Sequence, residues 1–349
     1  MKSKVFRRWK IIRDFSIGWT LGFVFMSIIR GVGTIEEGAV QFELWKSILV
    51  AFTFGPAFGS IAGIAQIVME ERYYQRVPIY KLTLYRFLYS VAFLFVLVGL
   101  SYLMVIFLFG ISINFFVFLI EPGSAAIYTY ILVLDFFLVI LRQVNLMLGE
   151  GNLLKVLRGK FYTPREEERI FMFLDLQAST SLAEKLGHIQ YSKLLQDCFN
   201  DLGIVVDYRA EVYQYVGDEV ILSWSFKNGL KNNNCLASFF MFKAVLLEKK
   251  AYYVQNYGVL PFFKAGLHAG TVTVTEVGKY KKEIAYHGDT INTAARIQGV
   301  CNQYEKEFLV SNFLKEQLET SGFEFETIGQ VPLKGKGKEV LVHAVSEIE

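Results

Sequence analysis

The sequence predicts two unlike parts. An N-terminal all-α membrane bundle of four transmembrane helices is followed by an α+β domain built on a mixed sheet with helices. Three observations carry this. The 349 residues are 53% hydrophobic and 20% charged, with a mean hydropathy of +0.35, where soluble domains run at about 45–50% apolar and about a quarter charged. The excess is concentrated before Gly149, in runs as long as the charge-free Phe87–Ile120. From Arg169 onward, short apolar runs alternate with helical periodicity. Charge divides at the same place: the chain carries net +7 up to Lys160 and −4 after it. The overall +3 is too small to mark a nucleic-acid partner. Cys198, Cys235 and Cys301 form no CxxC pair. That excludes a disulfide scaffold or zinc ribbon and fits a reducing compartment.

A membrane-crossing helix needs about 17–25 apolar residues. Phe15–Ile29 and Ser47–Met69 carry no charge, and Ala125–Leu141 carries only Asp135. Phe87–Ile120 is too long for one ordinary span and is expected to break near Gly110–Asn114, with another break at Glu121-Pro122-Gly123. The expected spans are therefore 13–31, 47–69, 87–109 and 124–142, within a membrane domain 1–145. Lys2, Lys4, Arg7, Arg8, Lys10 and Arg13 precede the first span, and Arg72, Arg76, Lys81 and Arg86 lie in the second connection. The first connection sets Arg30 and Lys46 against Glu36, Glu37 and Glu43; the third has no Lys or Arg. Lys and Arg accumulate on the cytoplasmic side. The expectation is a multi-pass protein of the inner (cytoplasmic) membrane, with its N-terminus and soluble part in the cytoplasm. The first span lacks the small-residue cleavage site of a signal peptide. Asp135 is expensive in a bilayer. It reads either as a structural hydrogen bond to a neighbouring helix or as a sensing or gating site, with Arg142 two turns later on the same face.

Residues 146–168 read as a linker or transducer helix. Leu146, Leu153 and Leu157 are spaced as in one coiled-coil repeat, and Thr163-Pro164-Arg165-Glu166-Glu167 reads as a turn or helix start. The soluble domain is expected over 169–349. Ile170–Leu176 reads as a buried strand, Ser179–Tyr208 as a helix, and Glu211–Val216 and Val220–Phe226 as a hairpin turning at Gly217-Asp218. A helix at Leu230–Tyr257, a strand at Phe262–Val274 and a helix at Asp289–Cys301 follow. Strands at Phe308–Val310, Phe323–Val331 and Val340–Val345 complete the sheet.

Two carboxylates stand out. Asp175 sits in an apolar strand, where a charge needs a partner, and Asp218 sits at a hairpin tip. Brought together, they could hold two Mg²⁺ (or Mn²⁺) ions for phosphoryl or nucleotidyl transfer. Gln177, Ser179 and Thr180 precede or open a helix whose free N–H groups suit phosphate oxygens, with Ser179 or Thr180 as its N-cap. Asn292 and Arg296, four apart, share a helix face, and Arg296 suits charge on a reacting phosphate. The basic, Gly-rich loop Leu333–Lys338 could grip a triphosphate.

FLDLQAST (173–180), YQYVGDEV (213–220), GLHAG (266–270), EIAYHGDTINTAARIQ (283–298) and PLKGKG (332–337) stand together in an order and spacing that resemble the class III nucleotidyl cyclases, of the membrane-anchored bacterial type. The resemblance covers about Arg169–Val345 and implies a ferredoxin-like catalytic domain. By position it implies that Asp175 and Asp218 bind the metals. Asn292 and Arg296 would orient the ribose and stabilise the α-phosphoryl transition state, and Lys334 would bind the terminal phosphates. It also implies a homodimer, the aspartates coming from one protomer and Asn292, Arg296 and Lys334 from the other.

The sequence departs from the family's pattern at the two base-selecting positions, which hold Gln214 and Ala285. A Gln amide both donates and accepts. ATP is favoured because no acidic residue is present to accept from guanine; GTP is the alternative. Thr271 stands where some relatives carry a phosphate-binding arginine. Three rival readings stand beside this one. YVGDEV resembles the hairpin of diguanylate cyclases, but the Asn292/Arg296 helix does not belong to that family. An inactive cyclase-like receptor or scaffold is opposed by the retained Asp175, Asp218, Asn292 and Arg296. A transporter has only Asp135 to support it.

Overall fold

The computed structural model describes residues 2–31, 44–72, 79–110, 112–120, 124–149, 151–319, 321–332 and 339–348, and the chain divides into two units, Lys2–Leu146 and Met147–Glu349.

The first unit is helical: α1 (Lys2–Gly31), α2 (Leu44–Arg72), α3 (Ile79–Phe109), the short α4 (Phe115–Ile120) and α5 (Ser124–Met147). Among the described residues, four stretches are long and apolar enough to cross a membrane: Val5–Arg30, Leu44–Arg72, Leu84–Leu103 and Ala125–Met147. α3 stops where Gly110 takes a φ of 66°, and Asn114 Oδ1 accepts from the Phe116 amide to start α4. Glu121-Pro122-Gly123 lies outside the described residues, as does most of the first connection.

α1 and α2 pack backbone to backbone. A Cβ added at Gly55, Gly59 or Gly63 would lie 2.5, 2.4 or 2.9 Å from the Cα of Thr20, Ser16 or Ile12. Small residues four apart permit this approach, which is how apolar helices associate where no hydrophobic effect separates them from lipid. Trp19, Phe23, Phe58 and Phe93 fill the centre with edge-to-face rings 5.4–6.1 Å apart.

Asp135 is buried and paired. Arg86 Nη2 donates to its two oxygens at 2.7 and 2.9 Å, and Ser90 Oγ donates at 2.7 Å. Arg86 therefore lies inside α3, not in the connection before it. Arg142 pairs instead with Glu70, at 2.9 and 3.0 Å, and Glu70 also receives Arg7 and Gln66. The geometry supplies the structural reading of Asp135 with a specific partner.

The second unit starts with α6 (Asn152–Leu157). Residues 146–168 are not one helix: Gly149 and Gly151 take φ of 86° and 89°, so Leu146 and Leu153 do not share a continuous coiled-coil stripe. The turn expected at Thr163–Glu167 gives way to β1 (Arg165–Leu176), whose first residues alternate in exposure. Then follow α7 (Ser179–Asp201), β2 (Glu211–Val216), β3 (Glu219–Ser225), α8 (Phe226–Leu230), α9 (Asn234–Glu248), α10 (Lys250–Tyr257), β4 (Phe263–Val277), β5 (Glu283–His287), α11 (Asp289–Gly299), β6 (Phe308–Ser311), α12 (Asn312–Lys315), β7 (Phe323–Val331) and β8 (Val340–Glu347). The expected single helix over 230–257 is interrupted, because Asn232 and Asn233 take positive φ. β5 was not anticipated; its Glu283–His287 run is short and follows the polar stretch Gly278–Lys282.

The sheet order is β2-β3-β1-β4-β6-β8-β7, with β5 paired to β4. β1 alternates between two cores. Ile170, Met172, Leu174 and Leu176 face a core shared with α7, α9 and α10, while Phe171 and Phe173 face a smaller one under α11. The three cysteines are buried and free, and burial pushes their thiols up to about 12.

Removing one partner of a buried ion pair strands the other, at a cost of about 3–5 kcal/mol, whereas replacing both with apolar residues is nearly neutral. Arg86→Met alone should lower the melting temperature of the detergent-solubilised protein. Arg86→Met with Asp135→Leu should recover most of that loss. Equal melting of the single and double variants would refute the pairing.

Candidate active site

Asp175 continues the α11-side face of β1, after Phe171 and Phe173, and is half-buried. Its register partners are Glu219 on β3 and Lys264 on β4. Directly opposed residues of antiparallel strands have Cα atoms about 4.5–5.5 Å apart and side chains on one face. Asp218 stands at the β2–β3 turn after Gly217, whose φ of 64° suits a two-residue hairpin. Asp175, Asp218 and Glu219 thus crowd one end of the sheet. Burial, then Asp218, raises Asp175 above the usual carboxylate range, partly offset by a hydrogen bond from Gln298. Burial and the two aspartates push Glu219 up to about 7. Tyr191 of α7 stands at the same end. Its hydroxyl bonds with Ser179, and burial, then Asp218, raises its pKa.

The approach to α7 differs from the expected cap. Ala178 is the N-cap, with a φ of 57°, and no side chain caps the helix. Gln177 donates its amide to Phe262 O at 2.8 Å. Gln177 and Thr180 are exposed and Ser179 half-buried, so all three stand immediately beyond Asp175. Lys334 and its loop lie outside the described residues.

Sequence reasoning missed Glu219, Lys264, Tyr191 and Gln298. Lys264 carried the same signal as Asp175, a charge in an otherwise apolar strand. Its Nζ donates to Asn302 Oδ1 at 2.6 Å. Thr271 pairs with Glu168, seven residues along β4 from Lys264. At about 3.3 Å per residue, that is roughly 23 Å from the carboxylates. Lys264, not residue 271, is the β4 residue in register with Asp175.

α11 lies directly on β4. A Cβ at Gly266 would meet Gln298 N at 2.1 Å, and one at Gly270 would meet Thr290 Oγ1 at 2.6 Å. Thr290, Thr293, Ala294 and Ile297 face the sheet. Gln298 flanks that face and reaches Asp175. Arg296 is two residues, or about 200° of turn, from Gln298, and Asn292 shares its outer side. Asn292 is exposed and Arg296 half-buried. Both therefore project away from the carboxylates of their own chain.

Gln214 and Ala285 lie on β2 and β5. A bulge between Val212 and Gln214 displaces Tyr213, whose ring packs edge-on against Tyr286 at 5.0 Å. Gln214 and Ala285 are thus each the neighbour of one ring of this pair.

A family model described as the adenylate and guanylate cyclase catalytic domain matches residues 161–346. Adenylate cyclase 2 of Rhizobium meliloti (strain 1021) is 32% identical over 202 residues, covering 57% of this chain and 56% of the relative. The adenylate cyclase of Anabaena cylindrica is 26% identical over 184 residues, covering 50% of this chain and 36% of the relative. Atrial natriuretic peptide receptor 2 of Anguilla japonica is 28% identical over 172 residues, covering 48% of this chain and 16% of the receptor. The chain therefore spans little more than half the length of the first of these relatives and far less of the others. A solved bacterial light-regulated adenylyl cyclase shares the fold, with a TM-score of 0.53 at 19% identity over 61% of this chain and 62% of that one. The matched residues include β1, the Gly217-Asp218 hairpin and α11, and they make up more than half of the sequence: the chain belongs to the class III adenylate and guanylate cyclase family, with four membrane-type helices ahead of the catalytic domain.

Proposed function

We propose that the chain is a membrane-bound cyclase. It would convert a nucleoside triphosphate, ATP by preference, to the 3′,5′-cyclic nucleotide and pyrophosphate at two sites shared by a homodimer, as an intracellular signal. The supporting observation is the orientation of α11. Gln298 turns toward Asp175 of its own chain, while Asn292 and Arg296 turn away. One chain supplies both halves of a site but points them apart, so a second copy must bring them together.

The metal reading is supported by the donor set. Asp175 and Glu219, raised by burial and then by neighbouring carboxylates, make a site that suits a divalent cation. Among the described residues, no three His, Cys, Asp or Glu side chains form a ready-made cage. Two aspartates suit Mg²⁺ or Mn²⁺, which keep waters and take further ligands from substrate phosphates. When bound, such ions would polarise the phosphates and acidify the ribose hydroxyl.

In this reading Asp175 and Asp218 hold the ions, and Gln177, Ser179, Thr180, Lys264 and Lys334 bind phosphate oxygens. Asn292 orients the ribose, and Arg296 supplies countercharge. The 3′-oxygen attacks the α-phosphorus in line; the O3′–P bond forms as the bond to the β-phosphate oxygen breaks. Position and countercharge carry most of the catalysis. The ATP preference rests on Gln214 and Ala285, which supply no carboxylate for guanine, and on two relatives named as adenylate cyclases. The amide of Gln214 also keeps GTP open. We place residues 1–145 in the inner membrane, 146–168 as linker and 169–349 in the cytoplasm, the Lys and Arg distribution setting the orientation.

Incubation with each of four nucleoside triphosphates and Mn²⁺, followed by mass analysis, should yield cyclic AMP as the main product. A cyclic dinucleotide, or no pyrophosphate from any of them, would overturn the reading. Asp175→Ala and Arg296→Ala should each be inactive. Co-expressed, they should regain partial activity, because a mixed dimer keeps one intact site.

The carboxylates also set a pH dependence. The folded-state pKa values of Asp175 and Glu219 lie above the unfolded ones, so the folded protein holds protons there that the unfolded chain releases. Without divalent ions, stability falls as pH rises from the ordinary carboxylate range through about 7. Mn²⁺ should therefore raise the melting temperature more at pH 8 than at pH 6. In Asp218→Asn that difference should shrink.

A further inference from the structure

Arg169 is 4% exposed, and nothing in the chemistry above uses it. A buried guanidinium is costly unless its hydrogen-bonding edges and its face are occupied. Here they are, by three other strands of the sheet and by Glu167 of its own strand. Nε donates to Ser223 Oγ on β3 at 2.9 Å, and Nη2 to Glu211 Oε2 on β2 at 2.6 Å. Nη1 reaches Glu167 Oε2 at 3.5 Å. The guanidinium carbon lies 4.9 Å from the ring centroid of Tyr286 on β5. The β4 residue opposite Arg169 is Gly270, which adds no side chain of its own to that row. One side chain thus spans the sheet from its β2 edge to β5.

The contact continues. Tyr286 packs edge-on against Phe171 at 5.4 Å and Tyr213 at 5.0 Å, and Tyr213 Oη accepts from the Tyr286 amide at 3.4 Å. Gln214 follows Tyr213 and Ala285 precedes Tyr286. Arg169 is six residues along β1 from Asp175, or about 20 Å. It acts at the opposite end of the strand from the phosphate chemistry.

We propose that Arg169 is a positioning residue for base selection. By clamping Glu211 and the Tyr213–Tyr286 pair, it sets the spacing of the two strands that carry Gln214 and Ala285. It touches no substrate itself. The proposal rests on the reading of those two residues as base-facing.

The test is steady-state kinetics of the full-length protein with ATP and with GTP, read as the ratio of the two kcat/KM values. A partly unfolded preparation lowers both values equally and leaves their ratio unchanged. Arg169→Met should shift the ratio toward unity by about fivefold to tenfold, mainly through KM. Arg169→Lys, which keeps charge but not the planar fork, should fall between Arg169→Met and the parent. Should Arg169→Met fail to fold, Glu211→Gln weakens the clamp without stranding a buried cation and should shift the ratio by about threefold. Gln214→Ala checks the underlying reading. If Gln214→Ala moves the ratio while Arg169→Met and Glu211→Gln leave it within about twofold, the clamp is refuted. If Gln214→Ala leaves the ratio unchanged, the base-facing reading fails, and the proposal falls with it.

Discussion

The seat of α11 on β4 is the constraint from which the rest of the catalytic unit follows. A helix can lie this close to a strand only where the strand has no side chains, and Gly266 and Gly270 provide that. The contact fixes rotation as well as distance. With Thr290, Thr293, Ala294 and Ile297 turned down, Gln298 is carried toward Asp175, and Asn292 and Arg296 are carried away from it. In the proposed shared-site dimer, the need for a second chain therefore arises from helix rotation within one chain. Close packing also leaves little slack for α11 to roll and bring Arg296 back toward its own carboxylates.

β1 organises the other dimension. Its two ends carry charged residues on one face, Arg169 and Asp175, and the structure treats them oppositely. Arg169 is saturated with partners from neighbouring strands and held charged, by Glu211 above all. Asp175 has one hydrogen bond from Gln298 and two carboxylates near it. A satisfied buried charge is rigid and structural; a crowded, under-compensated one is poised to bind a cation. The same strand thus offers a fixed reference at one end and binding capacity at the other, with Phe171 and Phe173 packed between.

Much of this was legible in the sequence because it depends on local rules. Asp175 and Asp218 stood out, one as a charge in an apolar run and the other as a hairpin residue, and Asn292 and Arg296 as a four-residue helical pair. What was not legible depends on register. Nothing local says that Lys264 is the register partner of Asp175, or that Thr271 lies at the far end of the strand. Glu219 looked like an ordinary hairpin residue until its pairing with Asp175 was known. β5 escaped because five residues give too short a pattern to separate strand from loop. The linker misled because leucine spacing survives a pair of positive-φ glycines that a helix does not.

The membrane unit shows how composition can mislead. Arg86 and Arg142 belong by count to the basic excess that marks cytoplasmic faces, yet each is consumed inside the bundle by an acid on another helix, Asp135 and Glu70. Both pairs are nearly sealed from outside, so their role is to tie α3 and α2 to α5 rather than to interact with lipid headgroups. Paired residues of this kind carry no topological information, because their charge is cancelled within the fold. The orientation argument then rests on the N-terminal run and on the basic residues around the second connection. That run holds Lys2, Lys4, Arg8, Lys10 and Arg13 before any apolar stretch long enough to span, but Arg8 pairs with Glu71 and Arg13 with Asp14. The proposed orientation therefore rests on fewer charges than the sequence count suggests, chiefly the lysines at its start and the basic residues around the second connection.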